Sequence, residues 1–254
     1  MQDPLDVPVV RTIRDAVRRT LGQRLVGLYV YGSLATDAFE PHVSDVDLMA
    51  ALADEPDEAV LPELSALHAD VVRLHPDWDD RVEVDYVSTR GLADCRTAPT
   101  RIARISPGEP LHLVQAGREF LLDWYPARRE GLALLGLPLP SLIPPIPERE
   151  YLAGVRAYLA SFPTRLDDDA SAGSQAYAIL TMCRGIYALT EGARLSKREA
   201  AIRAGREFPR WTALIDRALA WRDAQWEAEQ PDASATVEES RAFVAELTER
   251  LNLG

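Results

Sequence analysis

Five prolines between residues 138 and 147 separate two parts of the chain that differ in pattern. Proline fixes φ and has no backbone N–H, so this density excludes a helix or a central strand there. The part before the prolines contains short β-branched and aromatic segments, whereas the part after them shows only helical periodicity. The sequence therefore predicts two domains, residues 1–143 and residues 144–254, that meet in a proline-rich segment.

The N-terminal part has a strand–strand–helix–strand order. Residues 9–24 form an amphipathic helix, and the apolar runs at 25–32 and 44–52 read as strands. A helix over 56–76 and a third strand over 81–88 follow. This order indicates a mixed sheet with helices packed against it. Further along, residues 111–117 fit a short strand or the start of a helix, and residues 120–136 contain a helix.

The C-terminal part is predicted to be all helical. Its helical segments cover residues 147–162, 174–192, the stretch from 196, 210–226 and 236–251. Ser196 and Glu199 have the spacing of a capping box at the start of one of them. The predicted fold class is therefore α+β, an N-terminal mixed-sheet domain followed by a C-terminal all-helical bundle.

Two aspartates enter an apolar run that should be a buried strand. Asp45 and Asp47 stand at positions i and i+2, so their side chains share one face of that strand, with Cα atoms about 6.5–7 Å apart. Burying a carboxylate without a partner costs free energy of folding, so a functional role for these two acids is expected. Two carboxylates on one face can chelate a hard cation such as Mg²⁺ through oxygen atoms.

Gly32 and Ser33 directly follow the preceding strand and open a short helix. Backbone N–H groups and a hydroxyl at such a position suit a phosphate group. Glu83 and Asp85 repeat the i, i+2 spacing on the third strand. A third carboxylate there would either bind the metal ions or act as a general base.

These residues resemble the signature of the DNA polymerase β-type nucleotidyltransferase superfamily: Gly32-Ser33, a spacer, then Asp45-Val46-Asp47. The resemblance covers about the first ninety residues. It implies that Asp45 and Asp47 bind two Mg²⁺ ions, which in turn bind a nucleoside triphosphate. It also implies a third carboxylate on a later strand.

The segment Leu180–Ala201 is similar to the helix-loop-helix of the aminoglycoside adenylyltransferases that modify streptomycin and spectinomycin. This resemblance implies that Arg184 and Lys197 reach the triphosphate of ATP and that Glu83 is the catalytic base. It also implies an active site to which both domains contribute. The loop before the Arg184 helix departs from the members that accept streptomycin, because it has no tryptophan.

That loop instead carries three consecutive acids, Asp167, Asp168 and Asp169, which would pair with the amines of a cationic acceptor. The formal net charge of −12 agrees with a small cationic substrate and argues against broad nucleic-acid binding. The N-terminus lacks a signal-peptide profile and no apolar run reaches about 20 residues. A cytoplasmic protein without a membrane partner is therefore expected.

The sequence thus predicts a Mg²⁺-dependent nucleotidyltransferase that transfers a nucleoside monophosphate, AMP from ATP, to an aminoglycoside or aminocyclitol hydroxyl. A spectinomycin-like acceptor is favoured over streptomycin. Two alternatives stay open: transfer to a protein or another non-antibiotic acceptor, and a non-catalytic nucleotide-binding sensor.

Overall fold

The computed structural model describes residues 3–227 and 231–253. The chain divides into two compact units, and the division falls after Pro147, at the end of the proline-rich segment. The residues up to Pro147 are called the N-terminal unit here, and those from Glu148 the C-terminal unit.

The N-terminal unit is built on a sheet whose six strands are β1 (Leu25–Tyr31), β2 (Val46–Leu52), β3 (Val82–Ser88), β4 (Thr100–Ser106), β5 (Glu109–Ala116) and β6 (Leu132–Leu135). Their order across the sheet is β5-β4-β3-β2-β1-β6. The central pair β2 and β3 is parallel, and the other neighbouring pairs are antiparallel. The predicted mixed sheet is confirmed.

The helices of this unit are α1 (Pro8–Leu21), α2 (Leu61–Leu74), α3 (Thr89–Asp94) and α4 (Leu121–Glu130). Helix α1 begins at a proline, whose missing N–H costs nothing at the first helical position. Its apolar stripe, which includes Val10, Ile13 and Val17, is fully buried. Together with α2 it packs against one face of the sheet and forms the core of the unit.

Side chains along each strand alternate between the two faces of the sheet. Val46 and Leu48 of β2 and Val84 of β3 point into the core with α1 and α2. Asp47 lies between Val46 and Leu48, and Glu83 directly precedes Val84. Both acids therefore point to the opposite face of the sheet. This opposite face of the sheet carries the candidate active site.

The middle of the chain contains the helix expected within residues 120–136, as α4, and also strand β6, which the sequence did not predict and which pairs with β1. The segment Leu132–Leu135 is four apolar residues, too short to show a helical or a strand period. The edge of β1 offers it hydrogen-bond partners, and this tertiary pairing decides its conformation.

The C-terminal unit contains the helices α5 (Glu148–Ala160), α6 (Ala172–Glu191), α7 (Lys197–Glu207), α8 (Thr212–Asp223) and α9 (Val237–Arg250). Helix α6 contacts each of the other four. The capping box of Ser196 and Glu199 is present at the start of α7. The predicted α+β class with a helical C-terminal part is confirmed.

A buried amide fixes the core of the C-terminal unit. Gln175 of α6 is fully buried, and its Nε2 donates to the carbonyl oxygens of Ala170 and Ala233, at 2.8 and 2.9 Å. Its Oε1 accepts from the hydroxyls of Thr236 and Ser240. All four hydrogen-bonding positions of this amide are therefore used. In the part of the chain that the structure describes, no helix is long and apolar enough to cross a bilayer.

Candidate active site

A row of polar side chains crosses three neighbouring strands at one level of the sheet. Tyr31, the last residue of β1, pairs with Asp47 of β2, and Asp47 pairs with Glu83 of β3. Residues paired in register lie side by side on the same face. The sheet therefore brings together the predicted metal ligand Asp47 and the predicted base Glu83, which are far apart in sequence.

Gly32 lies against Asp47 at the end of β1. It begins a 3-10 helix, Gly32–Ala35, and has a φ of +65°. A β-carbon at this position would lie 1.9 Å from the Oδ2 atom of Asp47, closer than any atomic contact allows. A glycine is therefore required here, both by its backbone conformation and by the carboxylate beside it.

Ser33 follows at the second position of the 3-10 helix. Its Oγ is buried and has no hydrogen-bond partner among the described residues. A buried hydroxyl without a partner is unusual, and it marks a position where an additional group would complete the hydrogen bonding. This fits the predicted contact of Ser33 with a phosphate.

Asp45 lies immediately before β2, so the strand geometry predicted for the pair of aspartates holds for Asp47 alone. The loop that carries Asp45 is held by Arg81, a buried arginine. The Nη2 of Arg81 donates to the carbonyl oxygens of Pro41 and Ser44, at 2.9 and 2.6 Å. The guanidinium also lies 4.4 Å from the ring centroid of Trp78. These contacts fix the backbone next to Asp45.

Glu83 is in contact with a cation and a phenol. Arg104 of β4 places its Nη2 2.9 Å from Glu83 Oε1, and the hydroxyl of Tyr31 donates to the same oxygen at 3.1 Å. Burial raises the pKa of Tyr31 well above its usual value, and the nearby carboxylates add to this. The phenol therefore stays protonated and remains a donor to Glu83.

The pKa of Glu83 is raised to about 8. Burial is the main cause, and the negative charges of Asp85 and Asp123 add to it, while Arg104 and the Tyr31 hydrogen bond oppose it. A general base works best when its pKa is close to the operating pH. Glu83 is thus suited to accept a proton near neutral pH.

Asp85 is more deeply buried than Glu83. Its side chain is fully buried, and its Oδ1 accepts from Arg104 Nη1 at 2.8 Å. Burial raises the pKa of Asp85 to about 7, against the opposing effect of Arg104. For Arg104 itself burial would lower the pKa, but Asp85 and Glu83 raise it, so the guanidinium stays charged.

The predicted metal site offers carboxylate oxygen atoms as donors. Asp45 and Asp47 are both partly exposed and offer only oxygen atoms. Among the residues that the structure describes, no three His, Cys, Asp or Glu side chains are grouped closely enough to hold a metal by themselves. Mg²⁺ is usually held by one or two carboxylates, with substrate phosphates and waters as the other ligands. The pair therefore fits Mg²⁺ that arrives with a nucleotide.

The predicted triphosphate ligands lie in the C-terminal unit. Arg184 is exposed on α6 and forms no ion pair with any described residue. Lys197 is the first residue of α7, and its Nζ lies 5.6 Å from the ring centroid of Tyr177. Their contact with a triphosphate stays a prediction.

The three acids of the predicted substrate loop are all exposed. Asp168 forms a 2.8 Å ion pair with Arg241 of α9, and Arg241 also donates to the carbonyl of Leu166. One of the three acids thus has a structural contact. Binding of a cationic substrate by Asp167, Asp168 and Asp169 stays a prediction.

Sequence reasoning missed Arg104, and it gave Asp85 no role of its own. The segment "TRIARIS" carries two arginines among apolar residues, which reads as an ordinary half-exposed strand. Arg104 reaches the site only because β4 pairs with β3, opposite Asp85. No local pattern in the sequence predicts that β4 pairs with β3.

The comparisons with known proteins agree with this description. Residues 141–248 match the sequence family of the aminoglycoside adenylyltransferase C-terminal domain. None of the curated proteins compared with the chain matches it. The spectinomycin adenyltransferase AAD(9) from Enterococcus faecialis, solved with ATP and spectinomycin, is similar over 96% of this chain and 98% of its own, at 18% identity and a TM-score of 0.74.

A second solved structure, the Bradyrhizobium diazoefficiens CD-NTase CdnG in complex with GTP, aligns over 98% of this chain and 91% of its own at 17% identity. Its TM-score is 0.27. At 18% identity the likeness to AAD(9) establishes the fold, and the family match covers the C-terminal part of the chain. The resemblance predicted from Gly32-Ser33, Asp45-Val46-Asp47 and Leu180–Ala201 is confirmed. Residues 141–248 thus carry the aminoglycoside adenylyltransferase C-terminal domain, and the chain as a whole has the fold of AAD(9).

Proposed function

We propose that this protein transfers AMP from ATP to a hydroxyl of an aminoglycoside or aminocyclitol, in a Mg²⁺-dependent reaction, with a spectinomycin-like acceptor favoured over streptomycin. The observation that carries the proposal is the row of Tyr31, Asp47 and Glu83 across three strands, with Gly32 against Asp47. The row supports the proposal because Asp47, the proposed metal ligand, lies beside Glu83, the proposed base.

Each residue has a distinct part in the proposal. Asp45 and Asp47 would hold Mg²⁺, which when bound neutralises the charge of the triphosphate. The buried hydroxyl of Ser33 and the backbone at Gly32 would donate to the phosphates. Arg184 and Lys197 would add positive charge, because phosphoryl transfer depends mainly on positioning and electrostatic stabilisation.

Glu83 would take the proton from the acceptor hydroxyl. The hydroxyl oxygen then bonds to the α-phosphorus of ATP, and the bond from that phosphorus to the β-phosphate oxygen breaks. Pyrophosphate leaves, and the proton remains on Glu83 until solvent removes it. A partly buried carboxylate with a raised pKa suits this step, since it binds the proton readily near neutral pH.

Two observations support a spectinomycin-like acceptor. AAD(9), which shares the fold, is a spectinomycin adenyltransferase solved with ATP and spectinomycin. The loop before α6 has no tryptophan, unlike that of the adenylyltransferases that accept streptomycin. It offers exposed carboxylates instead. Asp167 and Asp169 would pair with acceptor amines beside Asp168, which contacts Arg241.

The test is pyrophosphate release from ATP with spectinomycin, streptomycin and other aminoglycosides, each with and without Mg²⁺. We expect release with spectinomycin, loss of release in EDTA, and recovery when Mg²⁺ is added back. Glu83→Gln should lower kcat by about 10²–10⁴-fold, the range attributed to general acid–base catalysis. Asp47→Asn should abolish transfer while the melting temperature stays near that of the parent.

Matched controls lie on α2. Glu63→Gln and Asp70→Asn change exposed carboxylates that form surface ion pairs with Arg24 and Arg73. Such changes should leave kcat within about two-fold of the parent, because surface ion pairs contribute little. Turnover retained in Asp47→Asn would contradict the metal role. ATP binding without pyrophosphate release for any acceptor would favour a sensor instead.

A further inference from the structure

Arg104 connects two carboxylates that differ in their access to substrate. Its Nη2 lies 2.9 Å from Glu83 Oε1, and its Nη1 lies 2.8 Å from Asp85 Oδ1. The side chain of Glu83 is 14% exposed, whereas that of Asp85 is completely buried. Of the two acids, only Glu83 has surface that a substrate can reach. Asp85 therefore has a task inside the protein.

That task is to hold Arg104. Asp85 and Arg104 are paired in register on β3 and β4, and this fixes the distance between their backbones. The second carboxylate oxygen of Asp85, Oδ2, has no hydrogen-bond partner among the described residues. Arg104 is thus the cation that compensates the buried charge, and a compensated buried pair has a well-defined geometry.

Further contacts limit the freedom of the guanidinium. Its Cζ lies 5.4 Å from the ring centroid of Phe120, and its side chain is only 17% exposed. A planar guanidinium offers its donors in a rigid fork, so fixing one branch on Asp85 also aims the other at Glu83.

The contacts on Glu83 leave one of its oxygens available. Arg104 and the Tyr31 hydroxyl both contact Oε1. Oε2 is therefore the oxygen left to accept a proton from an incoming hydroxyl group. A carboxylate held through one oxygen keeps its rotation fixed while the other oxygen accepts a proton.

We propose that Arg104 is a positioning residue that orients Glu83 for proton transfer, and that the buried Asp85 anchors Arg104. Arg104 acts through Glu83, and it is not assigned a contact with substrate. The inference rests on the proposed function, because it presumes that Glu83 is the base.

The test is a double-mutant cycle in the full-length protein with Mg-ATP and the acceptor that supports turnover. Arg104→Lys keeps the charge but loses the fork, so it should lower kcat about 10-fold or more, with the KM for ATP within about two-fold. In a Glu83→Gln background the same change should alter the residual kcat less than about two-fold, because the group it positions is gone.

A merely structural role predicts something else. An equal loss of kcat in both backgrounds, or a change in KM alone, would overturn the proposal. Asp85→Asn should reproduce the effect of Arg104→Lys, and the combination of the two should add little. If Arg104→Lys does not fold, it is replaced by the double variant Asp85→Asn/Arg104→Met. This variant removes both buried charges together.

Two further measurements complete the design. Arg101→Lys is the matched control, since Arg101 lies on the same strand and pairs with Glu55 outside the site; its kcat should equal that of the parent. A crystal structure of Arg104→Lys tests the inference without turnover. A displaced Glu83 carboxylate supports positioning, and an unmoved one overturns it, even if no acceptor of the proposed class is found.

Discussion

The Asp47 carboxylate occupies the space that a side chain on Gly32 would need. A β-carbon on Gly32 would lie 1.9 Å from Oδ2 and 2.8 Å from Cγ of Asp47. Gly32 also has a φ of +65°, which L-residues with a side chain seldom adopt. The turn after β1 and the carboxylate on β2 can therefore coexist only with glycine at this position.

Gly32→Ala should lower the free energy of unfolding by about 1–3 kcal/mol, because it adds backbone strain and forces Asp47 to move. It should also weaken the binding of Mg-ATP, which calorimetric titration measures. Gly22→Ala is the matched control: Gly22 has a φ of +52° but no atom within 4 Å of its β-carbon position. It carries the strain without the clash. Equal effects of both changes on Mg-ATP binding would contradict the role of the contact.

Arg81→Met should destabilise the N-terminal unit by about 2–4 kcal/mol. The change leaves the carbonyls of Pro41 and Ser44 without the guanidinium that binds them. Ser44 is buried, and a buried acceptor without a partner is costly. Urea denaturation measures the loss. Since Ser44 precedes Asp45, the affinity for Mg-ATP should fall as well. Arg73→Met, which removes an exposed ion pair with Asp70, should stay within about 0.5 kcal/mol of the parent.

His68 makes stability depend on pH. It is buried, and its Nε2 lies 2.9 Å from the hydroxyl of Tyr86. Burial lowers the pKa of His68 from 6.5 to about 4. The unfolded chain therefore binds a proton between pH 6.5 and 4 that the folded chain does not. The contribution of His68 to stability is lost as the pH falls through this window, by roughly 3 kcal/mol at its lower end.

The measurement is the free energy of unfolding of the parent and of His68→Gln between pH 7 and pH 5. Glu83 and Asp85 have raised pKa values, so their contribution to the free energy of unfolding changes with pH in the opposite direction. Both proteins contain these two acids, so the difference between their free energies of unfolding isolates the contribution of His68. As the pH falls, the parent should lose stability relative to His68→Gln. His42→Gln, at an exposed loop position, should follow the parent. Parallel curves for the parent and His68→Gln would show that His68 does not titrate as expected.

Local patterns in the sequence were enough to predict the first three strands and the helices of the C-terminal unit. Val82, Val84 and Tyr86 alternate with Glu83 and Asp85 in sequence, and in β3 these three apolar residues all belong to the core on one side of the sheet. The capping residues of α7 likewise announce its start. In both cases a residue and its immediate neighbours carry the physical cause.

The pairing of strands was not available to such reasoning. Residues 100–116 form a hairpin of β4 and β5 that puts Arg104 opposite Asp85, and a one-residue slip would turn Arg104 to the other face. The ion pairs of Arg104 with Glu83 and Asp85 therefore depend on long-range register. The spacing in the sequence predicted that Glu83 and Asp85 share one face of β3, but no local pattern predicted the cation that contacts both.

The position of β2 and β3 in the sheet also affects how the site fluctuates. Both strands have hydrogen-bonded neighbours on either side, and β2 and β3 lie at the centre of the order β5-β4-β3-β2-β1-β6. Central strands open only in motions that approach global unfolding, whereas strand edges and loops open locally. Amide hydrogens at Asp47 and Glu83 should therefore exchange with solvent about as slowly as the unit unfolds, which makes the spacing of the two backbone segments that carry these carboxyl groups as durable as the fold itself.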